Sequence, residues 1–141
     1  MLKKLTLLLC LSAFGIAACT KNSKNAACNL QQACTQEFRS FGIQFVNSAG
    51  DNVAVKDVTV VNLRTNKPVV ARNVLDPGFS PNIYFVATDS NKDDFSAEGD
   101  EVKITATSTA TNKTAFAIVK ISGGSCNCHI SKISGPDKVV F

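Results

Sequence analysis

The feature that most constrains this chain is a spacing of two. From Phe38 onward apolar residues recur at alternate positions, and turn residues interrupt them at short intervals. Phe41, Ile43 and Phe45 point one way, with Gly42 and Gln44 on the other face. Asn47 to Asn52 is a turn cluster, and the β-branched run Val53 to Leu63 follows, with room for a bulge at Lys56-Asp57. Asn66-Lys67-Pro68 turns the chain into a weaker strand, Val69 to Leu75, which Asp76-Pro77-Gly78 closes. Ile83 to Ala87 is a short strand. Val102, Ile104 and Ala106 alternate with Lys103, Thr105 and Thr107, and Thr111-Asn112 leads to Ala115 to Ile121, which reads as a long hairpin. Gly123-Gly124 interrupts the ladder before a strand around Cys126 to Cys128, and Lys138 to Phe141 ends the chain as another. No helical period competes, beyond a turn near Ala26 to Ala33. The fold class is therefore all-β, an antiparallel β-sandwich of seven to eight strands.

A chain of 141 residues suits one domain, and 45% hydrophobic with 18% charged residues excludes disorder throughout. A membrane β-barrel would need more strands of about ten residues, and aromatic girdles. Phe141 reads as a last core or edge residue.

The first residues break the strand pattern. Lys3 and Lys4 precede an apolar stretch over 5–15, too short for a permanent span of about 20 residues. Ile16-Ala17-Ala18-Cys19 follows and resembles the lipobox of bacterial lipoproteins, with Ile where Leu is commonest. The resemblance implies cleavage before Cys19 and acylation of its thiol, hence a membrane attachment through two or three acyl chains. Thr20, rather than Asp, implies outer-membrane sorting, and Lys21 and Lys24, rather than acids, imply its periplasmic face. The organisation expected is a signal peptide over 1–18, a lipidated cysteine and tether with a short helical turn over 19–35, and a β-sandwich over 36–141. Loss of Lys3 and Lys4 lowers the net charge from +4 to +2.

Of six cysteines, Cys10 leaves with the signal and Cys19 carries the lipid. Cys28, Cys34, Cys126 and Cys128 remain, an even number that reads as two disulfides in an exported chain. A bridge between Cys126 and Cys128 would be strained, so each is expected to reach back to one of Cys28 and Cys34. Which pairs with which stays open. A zinc site from these cysteines, or from three of them with His129, has the wrong spacings for the usual knuckles. Cys126-Asn127-Cys128-His129 is also one residue short of a haem attachment motif.

Gly50-Asp51-Asn52-Val53-Ala54-Val55-Lys56-Asp57-Val58-Thr59-Val60 resembles the start of transthyretin-like or immunoglobulin-like modules of Bacteroidota exported proteins. The tail Ser122 to Pro136, with its Cys126-Asn127-Cys128-His129 core, is similar to that of small Bacteroidota lipoproteins. The resemblance covers most of the mature chain and implies the sandwich fold. It implies no catalytic residues.

Residues 89–101 hold six of the 11 acids. Asp89, Asn91, Asp93 and Asp100 fall at positions one, three, five and twelve of a calcium loop. Asp94 replaces the turn glycine and no flanking helices are expected, which argues against an EF-hand. A looser Ca2+ site on oxygen ligands is the alternative to a solvated acidic loop in which Asp93 or Ser96 caps a helical turn. No other cofactor is expected. His129 reads as exposed, and a lone His with no evident pocket does not make an enzyme. Scattered lysines without interleaved aromatics read as solvated faces, not a nucleic-acid patch. The expected function is a lipid-anchored, non-catalytic binding or assembly module of the cell envelope. Its partners are the membrane, through the lipid, and an envelope protein or glycan.

Overall fold

A computed structural model describes residues 33–74 and 82–141. Among the described residues eight strands and one 3-10 helix follow one another: β1 Ser40–Val46, β2 Val55–Asn62, β3 Lys67–Pro68, β4 Ile83–Thr88, the 3-10 helix Asp89–Asp94, β5 Asp100–Ser108, β6 Thr114–Ser122, β7 Ser131–Ser134 and β8 Lys138–Val140. They form a three-stranded sheet in the order β4-β1-β8 and a five-stranded sheet in the order β3-β2-β5-β6-β7. The two pack face to face as a sandwich. Every named pair is antiparallel except β1 with β8, which run parallel, so the expected architecture holds with one exception.

The period of two does what it implies. In β5 the residues Val102, Ile104 and Ala106 are fully buried, while Lys103, Thr105 and Thr107 face outward. Ile43, Val86, Val119, Ile121 and Val139 join them from both sheets in one core. Burying each such aliphatic side chain contributes about 1.5–3 kcal/mol against leaving it in water. Phe141 packs against this core, its ring 6.4 Å from that of Phe45. The bulge in β2 lies between Lys56 and Thr59, where Asp57 takes a φ of 53°.

Two expected strands are not formed. The chain after Pro68 is not a strand through Val74; Leu75 itself lies outside the described residues. Val69 still donates its N–H to the Val60 carbonyl, 2.9 Å. The next backbone groups turn to a side chain instead: Asn91 Nδ2 donates to the Val70 carbonyl at 2.9 Å, and the Arg72 N–H donates to Asn91 Oδ1 at 3.2 Å. The segment around Cys126 to Cys128 is a turn joining β6 to β7. Gly123 and Gly124 donate their N–H groups to the carbonyls of Ser96 and Lys92, which pulls this turn onto the 3-10 helix. A Cβ on Gly123 would lie 2.3 Å from the Lys92 carbonyl oxygen, so only glycine permits the approach.

The strand directions give the sandwich two distinct ends. Ser40, Thr88, Asp100, Asn62 and Ser122 lie at one, together with the 3-10 helix and the β6–β7 turn. The turn over 47–52, the turn of the β5–β6 hairpin and Phe141 lie at the other. Below these are the disulfide end and the hairpin end.

Candidate functional site

The disulfide end gathers the described cysteines and the only histidine. Cys34 is bonded to Cys128 with a Cα separation of 5.3 Å, within the ordinary range for a disulfide. This agrees with the expectation that a late cysteine reaches back to an early one. Cys126 is also disulfide-bonded. Cys28 and Cys19 lie outside the described residues, as does the signal segment expected over 1–18.

Next to the disulfide, His129 bridges two side chains. Its Nδ1 lies 2.7 Å from Asp89 Oδ2, and its Nε2 lies 3.0 Å from the Thr35 hydroxyl. An ionised carboxylate only accepts, so Nδ1 carries the proton; in the neutral ring Nε2 then accepts from Thr35. The His129 and Asp89 side chains are only 12% and 13% exposed, which corrects the reading of His129 as an exposed residue. Asp89 also accepts the backbone N–H of Arg39 and of Ile130, each at 2.8 Å. Burial alone would raise the Asp89 pKa. The Arg39 N–H, the imidazole and the Ile130 N–H outweigh it, and the pKa is lowered. One carboxylate thereby joins the N-terminal segment, the β6–β7 turn and the 3-10 helix.

Two further networks complete this end. Thr88 caps the 3-10 helix, accepting from the Ser90 N–H, while the buried Asn91 side chain accepts from the Thr88 N–H in a capping box. The cap is thus Thr88, not Asp93 or Ser96. Asp100, with its side chain 1% exposed, takes Arg64 Nε at 2.6 Å and Nη2 at 2.8 Å in a two-pronged ion pair. Asn62 Nδ2 at 2.7 Å and the Ser96 hydroxyl at 2.6 Å add two more donors. Burial opposes ionisation of Asp100, but Arg64, Ser96 and Asn62 overcome it and hold the carboxyl far below its usual range. Every buried side-chain polar atom among the described residues has a partner.

These contacts correct the calcium-loop spacing. Asp89 serves His129 and two N–H groups, Asn91 serves the helix cap, and Asp100 serves Arg64; Asp93 is exposed. The 3-10 helix and the following turn send the four side chains into separate networks. Among the described residues no cluster of three His, Cys, Asp or Glu side chains could hold a metal ion.

Beside His129 is a cavity of about 370 Å³, lined by Thr35, Arg39, Ser122, Asn127, His129 and Ser131 among others. A second cavity, of about 340 Å³, sits at the hairpin end between the 47–52 and 109–113 turns. Val53, Ala54, Ala110 and Phe141 line it, with Asn47 and Lys113 at its rim. The outer face of the larger sheet exposes Phe116, 59% accessible, with Lys103 Nζ 4.7 Å from its ring centre.

The alternation carried no sign of the Thr35, His129 and Asp89 grouping, because the three stand 94 and 40 residues apart. The one available signal was the position of Thr35 and His129 directly after Cys34 and Cys128, which the disulfide then brings together. No family model, no curated protein and no solved structure matches this chain, so its site is read from its own geometry.

Proposed function

We propose that this chain is a lipid-anchored module of the cell envelope that binds an envelope protein or glycan through its hairpin end. The observation that carries the reading is the one-sided distribution of its fastenings. The disulfide and the buried ionic networks all lie where the N-terminal segment joins the sandwich. A tether leading from Cys19 to Cys34 reaches the body at that end. The opposite end then faces away from the anchor, with short turns around a partly apolar cavity suited to a small side chain or a sugar ring. The leader and its Ile16-Ala17-Ala18-Cys19 motif support attachment at Cys19, and the lysines after it support the periplasmic face of the outer membrane. A disulfide in the body fits an oxidising compartment.

Two measurements test this. Growth with a clickable fatty acid labels the wild-type chain, and Cys19→Ala abolishes both label and membrane association; an unlabelled wild type removes the anchor. A photo-crosslinking amino acid at Thr111, on the hairpin end, captures an envelope partner, whereas one at Phe116, on the sheet face, does not. Capture only from Phe116 would move the binding surface to the sheet.

A further inference from the structure

The residue types alone argued against catalysis because the single histidine came with no evident pocket. The fold supplies two partners, on opposite ring nitrogens. A mostly buried carboxylate, itself fixed by two backbone N–H groups, sits on Nδ1, and a hydroxyl sits on Nε2 at hydrogen-bonding distance. That order is what a hydroxyl nucleophile needs: an acceptor for its proton, and behind the acceptor a fixed anion that selects the tautomer and stabilises the imidazolium. Thr35 and His129 both line the same cavity, so the hydroxyl is open to a ligand.

We propose that Thr35 is an activated nucleophile that accepts an acyl group from a short carboxylic ester, with His129 as its base. This goes beyond the binding role and does not depend on the lipid anchor. Thr35 Oγ1 adds to the ester carbonyl carbon while its proton passes to His129 Nε2. The bond to the alcohol oxygen breaks, and His129 returns the proton to that leaving oxygen. Water then adds to the acyl-threonine, giving its proton to His129. The bond between the acyl carbon and Thr35 Oγ1 breaks, His129 returns the proton to Oγ1, and the carboxylic acid departs. Arg39 lies on the cavity wall with its guanidinium paired to Glu37 at 3.0 and 3.2 Å, and its remaining N–H groups are the donors offered to the oxyanion formed in each addition. The remaining lining is polar, with Ser122, Asn127 and Ser131, and the cavity is small. It fits a short acyl group on a hydroxylated alcohol rather than a long-chain lipid.

The probe is a tagged fluorophosphonate, applied to the membrane-extracted full chain and followed by peptide mapping. The adduct is expected on Thr35. Thr35→Val abolishes it, and Thr35→Ser keeps it. His129→Gln slows labelling at least about a hundredfold, the usual share of a general base. Mapping of the Cys34–Cys128 bond in each variant reports that this end remains folded. Asp89 acts through the ring, as a positioning residue. With a single histidine in the chain, 15N NMR of the imidazole reads its tautomer directly. The wild type is expected with the proton on Nδ1, and Asp89→Asn as a mixture. No adduct on Thr35, or equal labelling of wild type and His129→Gln with the disulfide intact, overturns the proposal.

Discussion

At the disulfide end, side chains from distant parts of the chain are tied to one another: Cys34 to Cys128, Asp89 to His129, Asn62 and Arg64 to Asp100. At the hairpin end most side-chain bonds are short in sequence, such as Asp51 to Asn47 and Lys113 to Thr111, and the longer ones, Lys56 to Asn112 and Thr109 to Ala54, are exposed. The core between them is shared. The difference teaches where the molecule holds itself and where it can vary. Long-range buried bonds resist local opening, whereas local turn bonds on the surface open and re-form without disturbing the sheet. The same sandwich therefore offers a fixed end and a changeable one.

The contrast can be broken most sharply at the disulfide. Cys34→Ser is expected to cost about 2–5 kcal/mol, because it removes a cross-link between residues 94 apart in sequence. Calorimetry of the variant checks this; an unchanged melting temperature would show that this end needs no covalent tie. Asp100→Ala comes next, at about 2–3 kcal/mol. It leaves Asn62 and Ser96 without their buried acceptor, but Arg64 is 53% exposed and re-enters water at little cost. Urea unfolding of the variant reads this directly.

The third expectation is a pH dependence that belongs to this end alone. Asp89 and Asp100 both have lowered pKa values in the folded chain. Their contribution to stability is full above the unfolded carboxylate value, near 3.9, and is lost as the pH falls through the folded values. Stability should therefore decline below about pH 4, and Asp100→Asn should flatten that decline. An acid limb unchanged in the variant would place the titration elsewhere. The smallest effect belongs to the hairpin end: Thr111→Ala, in an exposed turn, is expected to change stability by less than about 0.5 kcal/mol. A loss comparable to that of Asp100→Ala would erase the distinction between the two ends.

What the sequence disclosed follows the same division. The β5–β6 hairpin was legible because each position repeats a local rule, Val102 in and Lys103 out, and the Asn112 turn sits between the two strands. The bulge at Lys56-Asp57 was legible for the same reason. At the disulfide end the late-to-early cross-link was legible from the cysteines, but the side-chain networks around it were not. Asp89, Asn91, Asp93 and Asp100 have a spacing that matches a calcium loop, yet the partners of Asp89 and Asp100 are set by tertiary neighbours, Arg39, His129 and Arg64, and Asp93 is exposed. Val69 to Val74 has the composition of a strand, but Asn91 takes backbone groups that a strand would have paired. His129 was misread because its surroundings are built from segments the chain brings together only when folded.

The parallel pairing of β1 with β8 has a consequence in time. Residues 44–46 lie against residues 138–140, and the buried Val139 fills a place in the core that nothing else occupies. A chain delivered from its N-terminus cannot finish the smaller sheet until its last strand has arrived. Until then β1 has one open edge and the core has a gap. Closure of the smaller sheet therefore waits for β8, which follows β1 only after all the other strands of the described chain.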